Sequence, residues 1–89
     1  MPGRFPLGRT VITPGALEAL STPTVLAALH RHLNGDWGDL DAEDKAANER
    51  ALVDGTRLLS AYRSSDDIKF WIITEADRSV TTILLPSEY

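Results

Sequence analysis

The chain has 89 residues, 43% of them hydrophobic and 25% charged, with a formal net charge of −4 at neutral pH. That allows one domain with a modest core, a size at which stability is small unless something staples the fold or it associates. Nine Lys and Arg against thirteen Asp and Glu do not favour nucleic acid, since phosphate affinity comes from clustered bases. The lack of cysteine excludes disulfides and thiolate metal sites, which makes a cytoplasmic location the default. The longest apolar run is too short to span a bilayer, so no membrane association is expected.

Residues 1–9 carry two prolines and two glycines and read as a loose arm. Thr10–Thr13 is β-branched throughout and suits a short edge strand. Thr13-Pro14 then reads as an N-cap with proline at the first helical position, opening a short helix over Gly15–Leu20. The device repeats at Ser21, Thr22 and Pro23, so a second helix is expected over Thr24–Leu33 with Val25, Leu26, Leu29 and Leu33 as its core stripe. Asn34-Gly35 ends it. Asp41 and Asp44 suggest a capping box for a third helix, Ala42 to about Asp54, stopping at Gly55. Its apolar stripe (Ala42, Ala46, Leu52, Val53) is interrupted by Glu49, so a mixed face is expected, with polar groups in reach of a neighbour.

Three strands follow, Arg57–Arg63, Ile68–Thr74 and Val80–Leu85, joined by polar connections of hairpin length. The middle one is apolar on both faces, so each side needs cover, and Pro86 blocks extension of the last. The order β-α-α-α-β-β-β implies a two-layer α+β domain over residues 1–89. Three helices would pack on a three- to four-stranded antiparallel meander, four-stranded if Thr10–Thr13 joins it.

His32 borders the apolar stripe of the second helix. A partly buried, hydrogen-bonded histidine is the plain expectation there, and a general base the functional one. His30 and His32 cannot meet one metal from the same face, and the acids Asp36, Asp39, Asp41, Glu43 and Asp44 lack the order of a calcium loop. No metal or cofactor is expected. Trp71 reads as core. Trp37, in a loop between glycines, reads as a lid or a contact residue, with simple packing over the core edge an equally strong expectation. The last hairpin gathers Thr74, Asp77, Arg78, Thr81 and Thr82 close to Arg57, Ser60, Tyr62 and Arg63. Arg, His, Ser/Thr and Tyr on a small sheet are the tools of metal-independent ribonucleases, in which His moves protons and Arg steadies phosphate. The same residues also suit ordinary turns and solvent-facing strand positions.

The stretches HRHLNGDWGDLDAEDKAANERAL, GTRLLSAY and KFWIITEADRSVTTILLPSEY resemble a family of small bacterial proteins of unknown function, often labelled plasmid-related. The likeness runs from about Leu7 to Tyr89 and is densest in WIITEADRSVTTILLP. It implies a setting on plasmids and integrated elements without implying an activity. In that family a single His precedes the GDWG stretch, which His32 matches, and Lys69-Phe70-Trp71 departs from a Lys-Ile-Trp form.

The leading expectation is a non-enzymatic accessory protein that binds a macromolecular partner, most simply a protein. Its surface would join Trp37, Asp36 and Asp39 to the Asp77-Arg78 turn. The alternative is a ribonuclease-like enzyme using His32, Arg57, Ser60, Arg78 and Thr81. A homodimer through the exposed edge of the last strand is a third possibility. Convergence of His32, Asn48, Arg57, Ser60 and Thr81 on one cleft would favour chemistry.

Overall fold

Three N-caps set the helical half. In a computed structural model, which describes residues 3–89, the side chains of Thr13, Ser21 and Asp41 accept from the amides of Ala16, Thr24 and Asp44. They open α1 (Pro14–Ala19), α2 (Thr22–Leu33) and α3 (Ala42–Asp54). Pro14 and Pro23 sit in first turns, where a missing N–H costs nothing. The strands are β1 (Arg9–Ile12), β2 (Leu58–Arg63), β3 (Lys69–Thr74) and β4 (Val80–Leu84), and Pro86–Glu88 forms a turn of 3-10 helix.

The sheet order is β1-β4-β3-β2. β2, β3 and β4 are the expected antiparallel meander, whereas β1 lies parallel to β4. The α+β class holds, but the sheet is mixed and not purely antiparallel. A parallel pair needs a long connection, and α1 through β3 supply it. β4 is therefore interior, which removes the last strand as an edge for dimer pairing.

The arm also differs from expectation. Phe5 is buried, the Arg4 amide donates to the Leu33 carbonyl, and the Thr81 hydroxyl donates to the Leu7 carbonyl. Residues 3–8 are thus packed across the ends of α2 and the sheet. The rest of the expected arm, residues 1–2, lies outside the described residues.

One sheet face carries Leu58, Ser60, Tyr62, Phe70, Ile72, Thr74, Thr81 and Ile83, as the cross-strand register requires. On it, Tyr62, Phe70, Ile72 and Ile83 form a cluster with Ala16, Leu20 and Ala28 from α1 and α2. A second cluster joins Leu58 to Phe5, Trp37 and Ala51. The inward stripe of α2 is Val25, Ala28, Leu29 and His32, with Leu26 60% exposed, so the helix is rotated from the expected stripe. Burial of His32 fixes that rotation. In α3 the buried residues are Asn48 and Ala51, while Ala42, Ala46 and Val53 are exposed. Ala51 packs in the second cluster, and polar bonds from Asn48 supply the rest of the fastening of this helix.

β2 would be an open edge without those bonds. The Asn48 side-chain amide donates to the Leu59 carbonyl at 2.7 Å and its oxygen accepts from the Leu59 amide at 3.1 Å. Two residues on, the Ala61 amide donates to the Trp37 carbonyl and its carbonyl accepts from Asp39 N–H. Gly38 bridges Ala61 between them with φ +77°, and a Cβ there would collide with the Ala61 carbonyl. The outward backbone groups of Leu59 and Ala61 are thereby all paired.

Candidate functional site

His32 has no exposed surface, and both ring nitrogens are engaged. Nδ1 lies 2.5 Å from Ser60 Oγ and Nε2 lies 2.9 Å from Thr74 Oγ1, which is 2.7 Å from Thr81 Oγ1. The chain ends where Thr81 donates to the Leu7 carbonyl at 2.7 Å. A carbonyl only accepts, so the Thr81 proton is committed there. The Thr74 proton must then serve Thr81, and Thr74 accepts from Nε2–H. Nδ1 is left as the acceptor of the Ser60 hydroxyl proton. This count selects the neutral Nε2–H tautomer. Burial, with the positive charge of Arg78 adding to it, pushes the His32 pKa down to about 4. Phe5 and Trp37 pack edge-on against the ring at centroid distances of 5.2 and 5.7 Å.

His32, Ser60 and Thr81 therefore do come together, joined through Thr74, inside the protein between its two apolar clusters. Ser60, Thr74 and Thr81 have no exposed surface either. Asn48 and the two arginines do not join them. Asn48 is spent on Leu59. Arg57 projects from the other side of the sheet, where it donates to Tyr89 Oη at 2.8 Å and pairs with Glu75. The Arg78 guanidinium donates to the carbonyls of Ala51, Thr56 and Glu75, closing the end of α3. The residues expected to share a cleft divide into a buried belt, a helix clasp and a surface pair.

The expected contact surface is dispersed too. Trp37 is only 3% exposed, with its indole N–H donated to Glu49 at 2.8 Å, so it is a core residue and not a contact residue. Glu49, which breaks the apolar stripe of α3, also takes Arg4. Asp36 is held by Arg31 and Asp39 by Arg63. Asp77 caps the turn by accepting from Ser79 N–H and Oγ–H.

The surface that did not emerge from single residues is the second face of the sheet. No helix covers it. Trp71 is half-buried there, and Tyr89 packs against it edge-on at 5.7 Å, beneath the Arg57 guanidinium. Between β2, β3 and the start of α3 lies an open groove of about 700 Å³ floored by Leu40, Leu59, Ala61 and Trp71. Asp39, Asp44, Arg63 and Lys69 rim it. Arg63 is paired with Asp39 and Asp67, whereas Asp44 and Lys69 make no salt bridge among the described residues. The signal in the sequence was the two-sided apolar alternation of β3, for which the helices supply only one cover.

Fold and site together define a small mixed-sheet α+β protein with one sheet face closed by helices and an aromatic groove on the other. No family model matches the chain, and no match was found among curated proteins or solved structures. The plasmid-related resemblance thus rests on the quoted residues alone. No helix among the described residues is long and apolar enough to cross a membrane.

Proposed function

We propose that the protein is a binding module that takes a segment of a protein partner in the groove beside Trp71. The observation carrying this reading is the apolar floor with two uncommitted charges of opposite sign on its rim, Asp44 and Lys69. A fitting segment places an apolar or aromatic anchor against Trp71, a basic residue toward Asp44 and an acidic one toward Lys69. Large aromatics in partly desolvated pockets dominate such interfaces, and rim charges add steering and register. A role as an accessory protein of mobile elements, acting in the cytoplasm, is compatible with this chemistry and adds no residue to it. The ribonuclease alternative would need phosphate to reach His32 and an arginine together. His32 is enclosed, and Arg57 and Arg78 are engaged elsewhere.

A photo-crosslinking residue at position 69, with one at exposed Val53 as control, tests the reading. One partner should be captured at 69 and not at 53, and purified partner should bind Trp71→Ala more than about 30-fold more weakly, as expected for a hot-spot aromatic. Asp44→Asn should weaken binding with only a small fall in Tm, since it also removes one favourable charge from the first turn of α3. Equal capture at both positions, or binding indifferent to Trp71 and Asp44, would overturn it.

A further inference from the structure

The two edges of the sheet are treated differently. β2 is closed by Asn48 and by residues 37–39, whereas β1 ends the sheet and no hydrogen bond reaches the outward backbone of Thr10 or Ile12 among the described residues. Arg9 N–H donates to the Ser79 carbonyl and Thr13 N–H to the Ile83 carbonyl. Residues 9, 11 and 13 therefore face β4, and the backbone N–H and C=O groups of Thr10 and Ile12 point away from the sheet. The only guards on this edge are its four-residue length and the charge of Arg9 at one end; Thr10, Val11 and Ile12 carry no proline, charge or bulge. Beside it lies an apolar groove of about 180 Å³ between Ile12, Leu17, Val25 and Leu26. Leu17 is 65% and Leu26 60% exposed.

We propose that β1 pairs antiparallel with β1 of a second copy, extending the sheet to eight strands through a two-fold dimer. A two-fold axis normal to the sheet keeps each face on its own side, so paired residues must have the same parity. Centring the ladder on Val11 sets Thr10 opposite Ile12 of the other copy. These are the residues whose backbone groups point outward, so each pair exchanges two hydrogen bonds. The edge is thus complementary to itself, and a second copy satisfies all four outward backbone groups of Thr10 and Ile12 in one register. Arg9, the one charge on β1, falls opposite Thr13. The two Arg9 residues are then offset by four positions, roughly 13 Å along the strand, and no like charges meet within the ladder. The same axis brings the α1–α2 layers side by side, with Leu17 and Leu26 at the seam, an isologous contact of the usual kind. This surface is separate from the Trp71 groove and does not depend on it.

Sedimentation equilibrium over a concentration series, combined with residue-resolved amide exchange, tests the dimer. The mass should rise toward twice 9.8 kDa, and the Thr10 and Ile12 amides should gain protection with concentration. Thr10→Pro removes only an outward N–H and should yield a monomer with the fold intact by circular dichroism. Leu17→Lys, at a site already exposed, should do the same, so the result does not rest on one variant. A monomer at every soluble concentration overturns the proposal and leaves the edge to a foreign strand. A dimer in which Thr10 and Ile12 stay unprotected, or which survives both substitutions, overturns it as well.

Discussion

In the His32 network each hydroxyl proton has one destination, and that fixes the state of the ring. The Leu7 carbonyl takes the Thr81 proton, Thr81 takes that of Thr74, and the imidazole is left donating from Nε2 and accepting at Nδ1. Protonating Nδ1 would place a charge beside Arg78 in an enclosed site and turn the Ser60 hydroxyl to accept, taking from its proton the acceptor it now has. With the folded pKa near 4 and the unfolded value at 6.5, the ring is neutral in both states above pH 6.5. As pH falls from 6.5 to 4 the unfolded chain takes up a proton that the folded one refuses, so stability falls and then levels off below 4. A depression of this size corresponds to about 3 kcal/mol lost across that window. Urea unfolding at pH 7 and pH 4 should show the loss, and long-range 1H–15N spectra should show a protonated Nε2 that does not titrate above pH 5. A cationic His32 at pH 6 would contradict the hydrogen-bond assignment.

At the scale of elements, Asn48 is the fastening of α3. The helix offers little apolar surface, and the buried pair Asn48 and Ala51 meets the β2 edge through an amide that mimics a strand partner. Asn48→Ala strips partners from both backbone groups of Leu59, and unsatisfied groups of this kind cost about 1–3 kcal/mol each while buried. The shift of Leu59 toward solvent lowers that figure, so a destabilisation of about 2 kcal/mol is expected in chemical denaturation, with faster exchange at the Leu59 amide. If Asn48→Ala melts with the wild type, α3 is held by something other than this clasp. Such a role could not be read from position 48 alone. Asn in a helix middle is a poor helix former in any sequence, and its reward lies eleven residues away.

At the scale of the molecule, the asymmetry of the sheet is the organising fact. One face is sealed by α1 and α2, and the other is sheltered by the C-terminal residues, with Tyr89 on Trp71 and Arg57 over Tyr89. Tyr89→Ala should expose Trp71 and red-shift its fluorescence, while the enclosed Trp37 continues to emit in the blue. The stability change should be small, about 1 kcal/mol, since an edge-on aromatic contact and the exposed Arg57 contacts are lost at the surface. An unchanged spectrum would mean that Tyr89 does not shelter that face.

The sequence by itself determined the elements and their order. Caps at Thr13, Ser21 and Asp41, prolines 14 and 23, and the apolar runs of the three late strands are local signals, and local signals suffice for local geometry. They also gave the borders of α3 and the antiparallel meander. What only the tertiary structure decided depends on residues far apart in the chain. These are the parallel pairing of β1 with β4, the rotation of α2 that turns His32 inward and Leu26 outward, and the burial of Trp37 under Glu49. The Ser, Thr and His that read as an active site from composition became a structural belt because packing enclosed them and each found its hydrogen-bond partner. The Trp71 groove opened because three short helices could cover only one face of a sheet whose sequence is apolar on both.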